Sequence, residues 1–426
     1  MASTFIQSVV LITDSSFLSR YDIIAFDAVG NGGLVYITLF MTLVGLNDGA
    51  QIVMARRIGE NKEHLISRIF GSSLVSNFII SFILFAVIMF LMPDFILSFS
   101  KSNEVALGQI QYIQIRGYGL FFAAISLGIN AFFLATGRTT VVFVSALFIA
   151  VSNIGLDYLL INGNAGFPEM GLEGAAIAST ISDAIGTLFI IIALFVSKTQ
   201  RKFELLKHIS FGWISIKQLF WVSAPIMFQG LIALSTWTIF FAWIEQMGTY
   251  ELTISQNIRS LYFLAFVPVW GFGATTKTYI SQYAGKKDFK SIEIIIKRIQ
   301  ILTTIFIVVF FHGAVLYPKQ MLSIINPNEI YMQDSIAILQ YVSGAVLIYA
   351  TGSVYFQAIN GTGNTRYTFY VELISVIAYL AGAYLLIKVY NADIFWVWSV
   401  EYIYFITLGI LSFSYIRFFN WQKKEI

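Results

Sequence analysis

Stretches of about twenty residues with scarcely a charge recur from one end of the chain to the other, each long enough to cross the hydrocarbon of a bilayer. V-V-F-V-S-A-L-F-I-A-V-S-N-I-G-L (141–156) is the uncharged centre of one of them, near 139–162. Hydrocarbon offers no hydrogen bonds to a backbone, so each run has to satisfy its own as a helix. Composition agrees, with 58% hydrophobic residues, 12% charged residues and a mean hydropathy of +0.77 over 426 residues. The expected class is an all-α integral membrane protein. With no cysteine in the chain, disulfides, thiol catalysis and zinc–thiolate sites are excluded. The apolar start has no basic segment before it and runs directly into Asp14, unlike a cleavable signal peptide.

Twelve spans are expected, near 1–18, 30–55, 66–92, 106–135, 139–162, 171–197, 221–246, 252–280, 292–317, 332–359, 366–388 and 393–417. With both termini in the cytoplasm, only Arg20, Lys101, Lys319 and Lys388 fall outside. Arg116, Arg259 and Lys277 lie within spans, and every other Lys and Arg is cytoplasmic, an asymmetry that sets the orientation.

The chain also repeats itself. M-P-D-F-I-L-S-F-S-K-S-N-E-V (92–105) matches Y-P-K-Q-M-L-S-I-I-N-P-N-E-I (317–330), A-T-G-R-T (135–139) matches G-T-G-N-T (361–365), and D-Y-L-L-I (157–161) matches A-Y-L-L-I (383–387). Two six-span halves in the same orientation follow: a lobe at 1–197 and a lobe at 221–418, with a tail at 419–426. Transporters built from such repeats place substrate and coupling ions near mid-membrane. Between the halves, 198–220 is basic and reads as an amphipathic linker on the cytoplasmic surface.

The polar residues concentrate at 151–186, the end of span five, a Gly/Asn/Pro loop and the start of span six. Asn153 and Asp157, four residues apart, share one helix face. Ser179, Thr180 and Asp183 lie within about a turn of one another on the returning helix. An ionisable group at such a depth costs roughly 2.5–3.5 kcal/mol on insertion scales, a cost usually offset by a partner, an ion or a proton. Small polar residues also join membrane helices by simple hydrogen bonds, so Asn153, Ser179 and Thr180 suit that role equally. The same bland role is open to Asp157, and an interfacial position is open to Asp14.

D-Y-L-L-I and G-L-E-G-A-A-I-A-S-T around this hairpin, A-T-G-R-T before it, A-R-R-I-G-E after span two and Q-Y-A-G-K-K-D after span eight resemble the multidrug and toxic compound extrusion (MATE) transporters. The resemblance covers essentially the whole chain. It implies two six-helix lobes forming a V, and export of organic cations in exchange for inward H⁺ or Na⁺. One prokaryotic branch keeps a cation site in the amino-terminal lobe, with an Asp on span one, Asn and Asp a turn apart on span five, and a hydroxyl on span six. Matched residue by residue, these are Asp14, Asn153, Asp157 and Ser179, with Thr180 beside it. Asp14, Asn153 and Asp157 are then the ligands for a Na⁺. Other branches use a Glu on span seven and an Asp on span ten, and the middle of those spans here holds no carboxylate. The expected partners are organic cations and membrane lipid, without nucleic acid, for a monomer in the cell inner membrane that needs no cofactor beyond its coupling ion.

Depth supports the same grouping. Counted at roughly 1.5 Å per residue, Asp14, Asp157 and Ser179 all fall in the outer half of the membrane. Two close carboxylates would share one proton, and their oxygens are equally the hard ligands Na⁺ needs. Asp183 joins the candidates one to two turns deeper. Arg116, Arg259 and Gln229 are candidates to line the cleft, with Glu401 as a partner for either arginine. Asp48, Glu372 and Lys277 lie near cytoplasmic ends, where a polar contact or snorkelling suffices. By the repeat, Gln229 matches Gln7, so the counterpart of Pro225 falls at or before Met1, and a proline bend in span one does not transfer. Enzyme signatures are weak: His64, His208 and His312 are scattered, and G-N-G-G (30–33) and G-T-G (361–363) lack the strand-to-helix setting of a phosphate loop. A flippase for lipid-linked sugars is the nearer rival, but it needs several basic residues in its cavity.

Overall fold

The computed structural model describes residues 13, 17–18, 21–99, 102–206 and 210–423. Most of the expected first span, including Asp14, lies outside the described residues. Among those described, ten helices are long and apolar enough to cross a membrane, and a bent pair forms an eleventh crossing. They correspond to spans two to twelve. Two compact units divide the chain at 227/228.

The first unit comprises α1 (Ile23–Gly59), α2 (Ile66–Ala86), α3 (Met92–Phe99), α4 (Asn103–Gly117), α5 (Gly119–Ala135), α6 (Thr139–Leu160), α7 (Gly171–Val196), the short α8 (Lys198–Lys202) and the start of α9 (Trp213–Glu245). Polar caps set several starts. The Asp22 carboxylate accepts from Ala25 N at 2.8 Å to open α1, and Ser102 opens α4. Inside the unit, Asn47 and Asn77 exchange two side-chain hydrogen bonds of 2.9 Å, joining α1 to α2.

The second unit holds the rest of α9, then α10 (Thr249–Gly285), α11 (Phe289–Phe311), the short α12 (Gly313–Leu316), α13 (Pro318–Ile325), α14 (Glu329–Thr362), α15 (Thr365–Tyr384), the short α16 (Ile394–Val397) and α17 (Val400–Phe418). Its core gathers around Trp398, which is fully buried against Phe240 and Tyr262 and donates from Nε1 to Ser255 Oγ at 3.1 Å.

The repeat reaches the backbone itself. Residues with positive φ recur 226 positions apart: Asn61 and Lys287, Gly137 and Gly363, Ala165 and Asn391. Each pair sits in a connection between helices, where one left-handed residue reverses the chain. The halves also differ. Where α14 runs unbroken, its counterpart is bent by 46° between α4 and α5. Glycines at 117 and 119 flank the bend, and a Gly pair weakens the helix there by roughly 1 kcal/mol per residue.

Small residues let α6 and α7 pack closely. A Cβ on Gly174 would lie 2.6 Å from the Leu160 carbonyl oxygen and 2.8 Å from its carbon. Backbone cannot retreat as a flexible side chain can, so Gly174→Ala is expected to destabilise the fold by about 1–3 kcal/mol. A thermal melt of the purified variant checks this, and a parent-like midpoint would refute the close approach.

Candidate functional site

The loop between α6 and α7 is a tight reversal. Met170 N donates to Leu160 O at 2.9 Å and Gly171 N to Ile161 O at 3.2 Å, closing the turn directly onto the end of α6. The two helices then run side by side, held by Gly174 against Leu160 and by Ser145 Oγ donating to Gly186 O at 3.2 Å. Both contacts need small residues at intervals of three to four along α7, the spacing of one helix face.

On that face, one turn below the end of α6, Asp157 is fully buried and Asn153 is 1% exposed. Asn153 Nδ2 donates to Ser179 Oγ at 3.2 Å, bringing together the two helices the sequence pairs here. The Asn153 side-chain oxygen is buried with no hydrogen-bond partner among the described residues. An acceptor in that position suits a proton donor or a hard cation. The Asp157 carboxyl group stands on the same face about 6 Å along the helix, so an amide and an acid follow one another there.

Thr180 and Asp183 turn elsewhere. Thr180 Oγ1 donates to Ala176 O at 2.8 Å in its own helix and approaches Ile115 O of α4 at 3.5 Å. Asp183 accepts from Arg116 Nη1 at 2.8 Å, and Thr187, one turn on, donates to Phe122 O of α5 at 3.2 Å. Helix α7 thus carries two polar stripes, one towards α6 and one towards α4 and α5. In sequence they are indistinguishable, because Asp183 is four residues from Ser179 and three from Thr180.

Arg116 belongs to the second stripe. Its guanidinium lies 4.5 Å over the Tyr36 ring of α1 as well as against Asp183. Gly119, just past the bend, makes room: a Cβ there would lie 3.2–3.3 Å from Asp183 Oδ2, Arg116 Nη1 and the Tyr36 hydroxyl oxygen. Tyr36 was not distinguishable in sequence from the other aromatics, and its buried hydroxyl has no hydrogen-bond partner among the described residues.

The remaining candidates are in the second unit. Arg259 sits 4.7 Å over the Phe241 ring. Gln229 is buried and donates from Nε2 to Thr368 Oγ1 at 2.8 Å and Thr365 O at 3.3 Å, as a link from α9 to α15. The expected pairing of Glu401 with an arginine is corrected: Glu401 accepts from the Tyr379 hydroxyl at 3.0 Å, Arg116 is taken by Asp183, and Arg259 by an aromatic face. Glu372 is buried rather than snorkelling and accepts from the Tyr404 hydroxyl at 2.6 Å. In both cases the tyrosine lies on the neighbouring helix, a register that helix periodicity alone does not reveal.

Comparison with known proteins places this arrangement. The MatE family model matches residues 1–159 and 225–385. A probable multidrug resistance protein NorM of Thermotoga maritima is 24% identical over all of this chain and 92% of its own length. The probable multidrug resistance protein YoeA of Bacillus subtilis is 18% identical over all of this chain and 93% of its own. Among solved structures, an outward-facing multidrug resistance MATE family transporter of the MOP superfamily superposes with a TM-score of 0.89 at 19% identity, over all of this chain and 94% of that one. A MOP superfamily transporter from Pyrococcus furiosus, described as having a binding pocket of reverse polarity, gives 0.90 at 18% identity, over 98% and 92%. The family match takes in most of each half of the repeat, and the described helices share the fold of the solved structures: this chain belongs to the MatE family of membrane transporters.

Proposed function

We propose that the protein is a secondary active exporter that moves organic cations out of the cell in exchange for inward H⁺ or Na⁺. The observation that carries this reading is the fully buried Asp157, a turn from an Asn153 that reaches Ser179 on the next helix. Multidrug resistance in the names of full-length relatives supports the substrate class. Asp14 is the fourth member on the sequence match. The protein acts as a monomer in the inner membrane with both termini in the cytoplasm.

Proton and substrate compete for one negative charge in this scheme. A proton arriving from the acidic exterior neutralises the carboxyl group and removes its attraction for a cation, favouring release outward. Facing the cytoplasm, the group gives up the proton and is anionic again. Na⁺ would act in the same way through the carboxylate and amide oxygens. A lipid-linked-sugar flippase is less favoured, because the charge of Arg116 is already taken by Asp183.

Reconstitution into vesicles, with a pH gradient and a Na⁺ gradient imposed separately, tests the reading by following efflux of a fluorescent organic cation. One of the two gradients is expected to drive efflux, with cation affinity weakening as pH falls or Na⁺ rises. Efflux indifferent to both gradients, or lipid flipping without efflux, would exclude it.

A further inference from the structure

The second unit contains two acids that the amino-terminal site leaves unused. Glu372 on α15 is 4% exposed, and Glu401 in the first turn of α17 is 1% exposed. Each accepts a hydrogen bond from a tyrosine on the other helix: Glu372 from Tyr404 of α17, and Glu401 from Tyr379 of α15. Helices α15 and α17 are consecutive crossings and therefore antiparallel, so the two bonds lie at successive depths. Tyr379 stands seven residues from Glu372, about 10 Å along the axis. Its ring and that of Tyr404 meet edge to face, centroids 5.9 Å apart. Glu401, Tyr379, Tyr404 and Glu372 thus form one continuous line, beginning at the end of α17 nearest the exposed loop around Asn391.

The surroundings of this line are phenolic and apolar. Tyr262 of α10 lies within electrostatic range of Glu401, and Tyr349 of α14 within range of Glu372. Helix α9 presents the Phe240 ring to Tyr379. Among the described residues neither glutamate has an ion-pair partner. An ionised carboxylate without a cation at such a site costs several kcal/mol, a cost that the neutral acid avoids. A glutamine would accept the same tyrosine bond and hold the helices equally well. An acid in its place adds one property, a proton that leaves when water reaches it.

We propose that Glu372 and Glu401 are a second proton-binding site, in the carboxy-terminal unit, which takes up and releases protons during the transport cycle. On release the carboxyl O–H bond breaks and the proton passes to water, while the tyrosine keeps its own hydrogen and donates it to the carboxylate left behind. The site is independent of the amino-terminal coupling residues and stands whether H⁺ or Na⁺ acts there.

Infrared spectroscopy of the full-length protein in lipid tests this directly. The parent should show protonated-carboxyl C=O bands that shift in D₂O, with one band lost in Glu372→Gln and another in Glu401→Gln. Tyr379→Phe and Tyr404→Phe keep the ring packing and should move the matching band to higher frequency as its donor disappears. These two carry the test if a glutamine variant does not fold. Proton uptake into vesicles on adding a fluorescent organic cation should fall at least twofold in Glu401→Gln. Bands insensitive to all four substitutions, bands that never exchange in D₂O, or parent-like proton uptake in Glu401→Gln would each overturn the proposal. The infrared readouts do not depend on which cation is exported, so failure of the amino-terminal reading is seen separately, in Asp157→Asn.

Discussion

Asp157→Asn is expected to cut gradient-driven efflux about a hundredfold while leaving the protein inserted and folded. Asparagine has nearly the shape of aspartate, so the packing of α6 against α7 and the bond from Asn153 to Ser179 remain. What disappears is the carboxyl group for which, in the proposed mechanism, proton, Na⁺ and substrate compete. A hydrogen bond or contact to a charged group is worth roughly 1.5–3 kcal/mol, and about 1.4 kcal/mol is tenfold, so its loss removes up to two orders of magnitude. Initial efflux rates from vesicles of matched protein content, with a melt on the same sample, check both halves. Parent-like rates would remove Asp157 from the coupling site.

Arg116→Leu should have the opposite profile, a loss of stability first. The substitution strands Asp183 beside an apolar side chain and ends the contact with Tyr36. Removing one partner of a fully buried ion pair costs about 3–5 kcal/mol, whereas exposed pairs are worth under about 1 kcal/mol. Here the arginine side chain is 12% exposed and the aspartate 28%, so the expected cost lies between these limits, at about 2 kcal/mol. The double variant Arg116→Leu/Asp183→Leu should be more stable than Arg116→Leu alone, because no charge is then left uncompensated. Thermal melts of the two single variants, the double and the parent complete the cycle. Strict additivity would mean the pair contributes no coupling, and Arg116 would then be free to serve the cleft.

Much of the architecture was legible in the chain because membrane crossing imposes a local rule. A run of apolar residues has to be helical and about twenty residues long, and the matching runs in the two halves fall at the same spacing. The 226-residue interval between D-Y-L-L-I and A-Y-L-L-I reappears as the interval between left-handed residues, down to Gly137 and Gly363. Boundaries were also set locally, by caps such as Asp22 and Ser102. The bend at Tyr118 was present in the sequence as its two flanking glycines, but the expected span 106–135 runs straight through it.

Partner choice was not legible, because it depends on the rotation of one helix about its axis relative to its neighbours. Asn153, Asp157 and Ser179 could be grouped from i, i+4 spacing and a hairpin that returns the chain alongside itself. The same spacing placed Thr180 and Asp183 with them, and only the position of α4 assigns Asp183 to Arg116 over Tyr36. Glu372 and Glu401 show the same limit, since each is bound by a tyrosine from across a helix interface. The sequence by itself determined the all-α class, the crossings and the duplication, all of which follow from hydrocarbon and helix periodicity. Tertiary structure alone decided which acid meets an arginine and which a tyrosine, because hydrogen bonds act over about 3 Å and that distance is set by packing between helices.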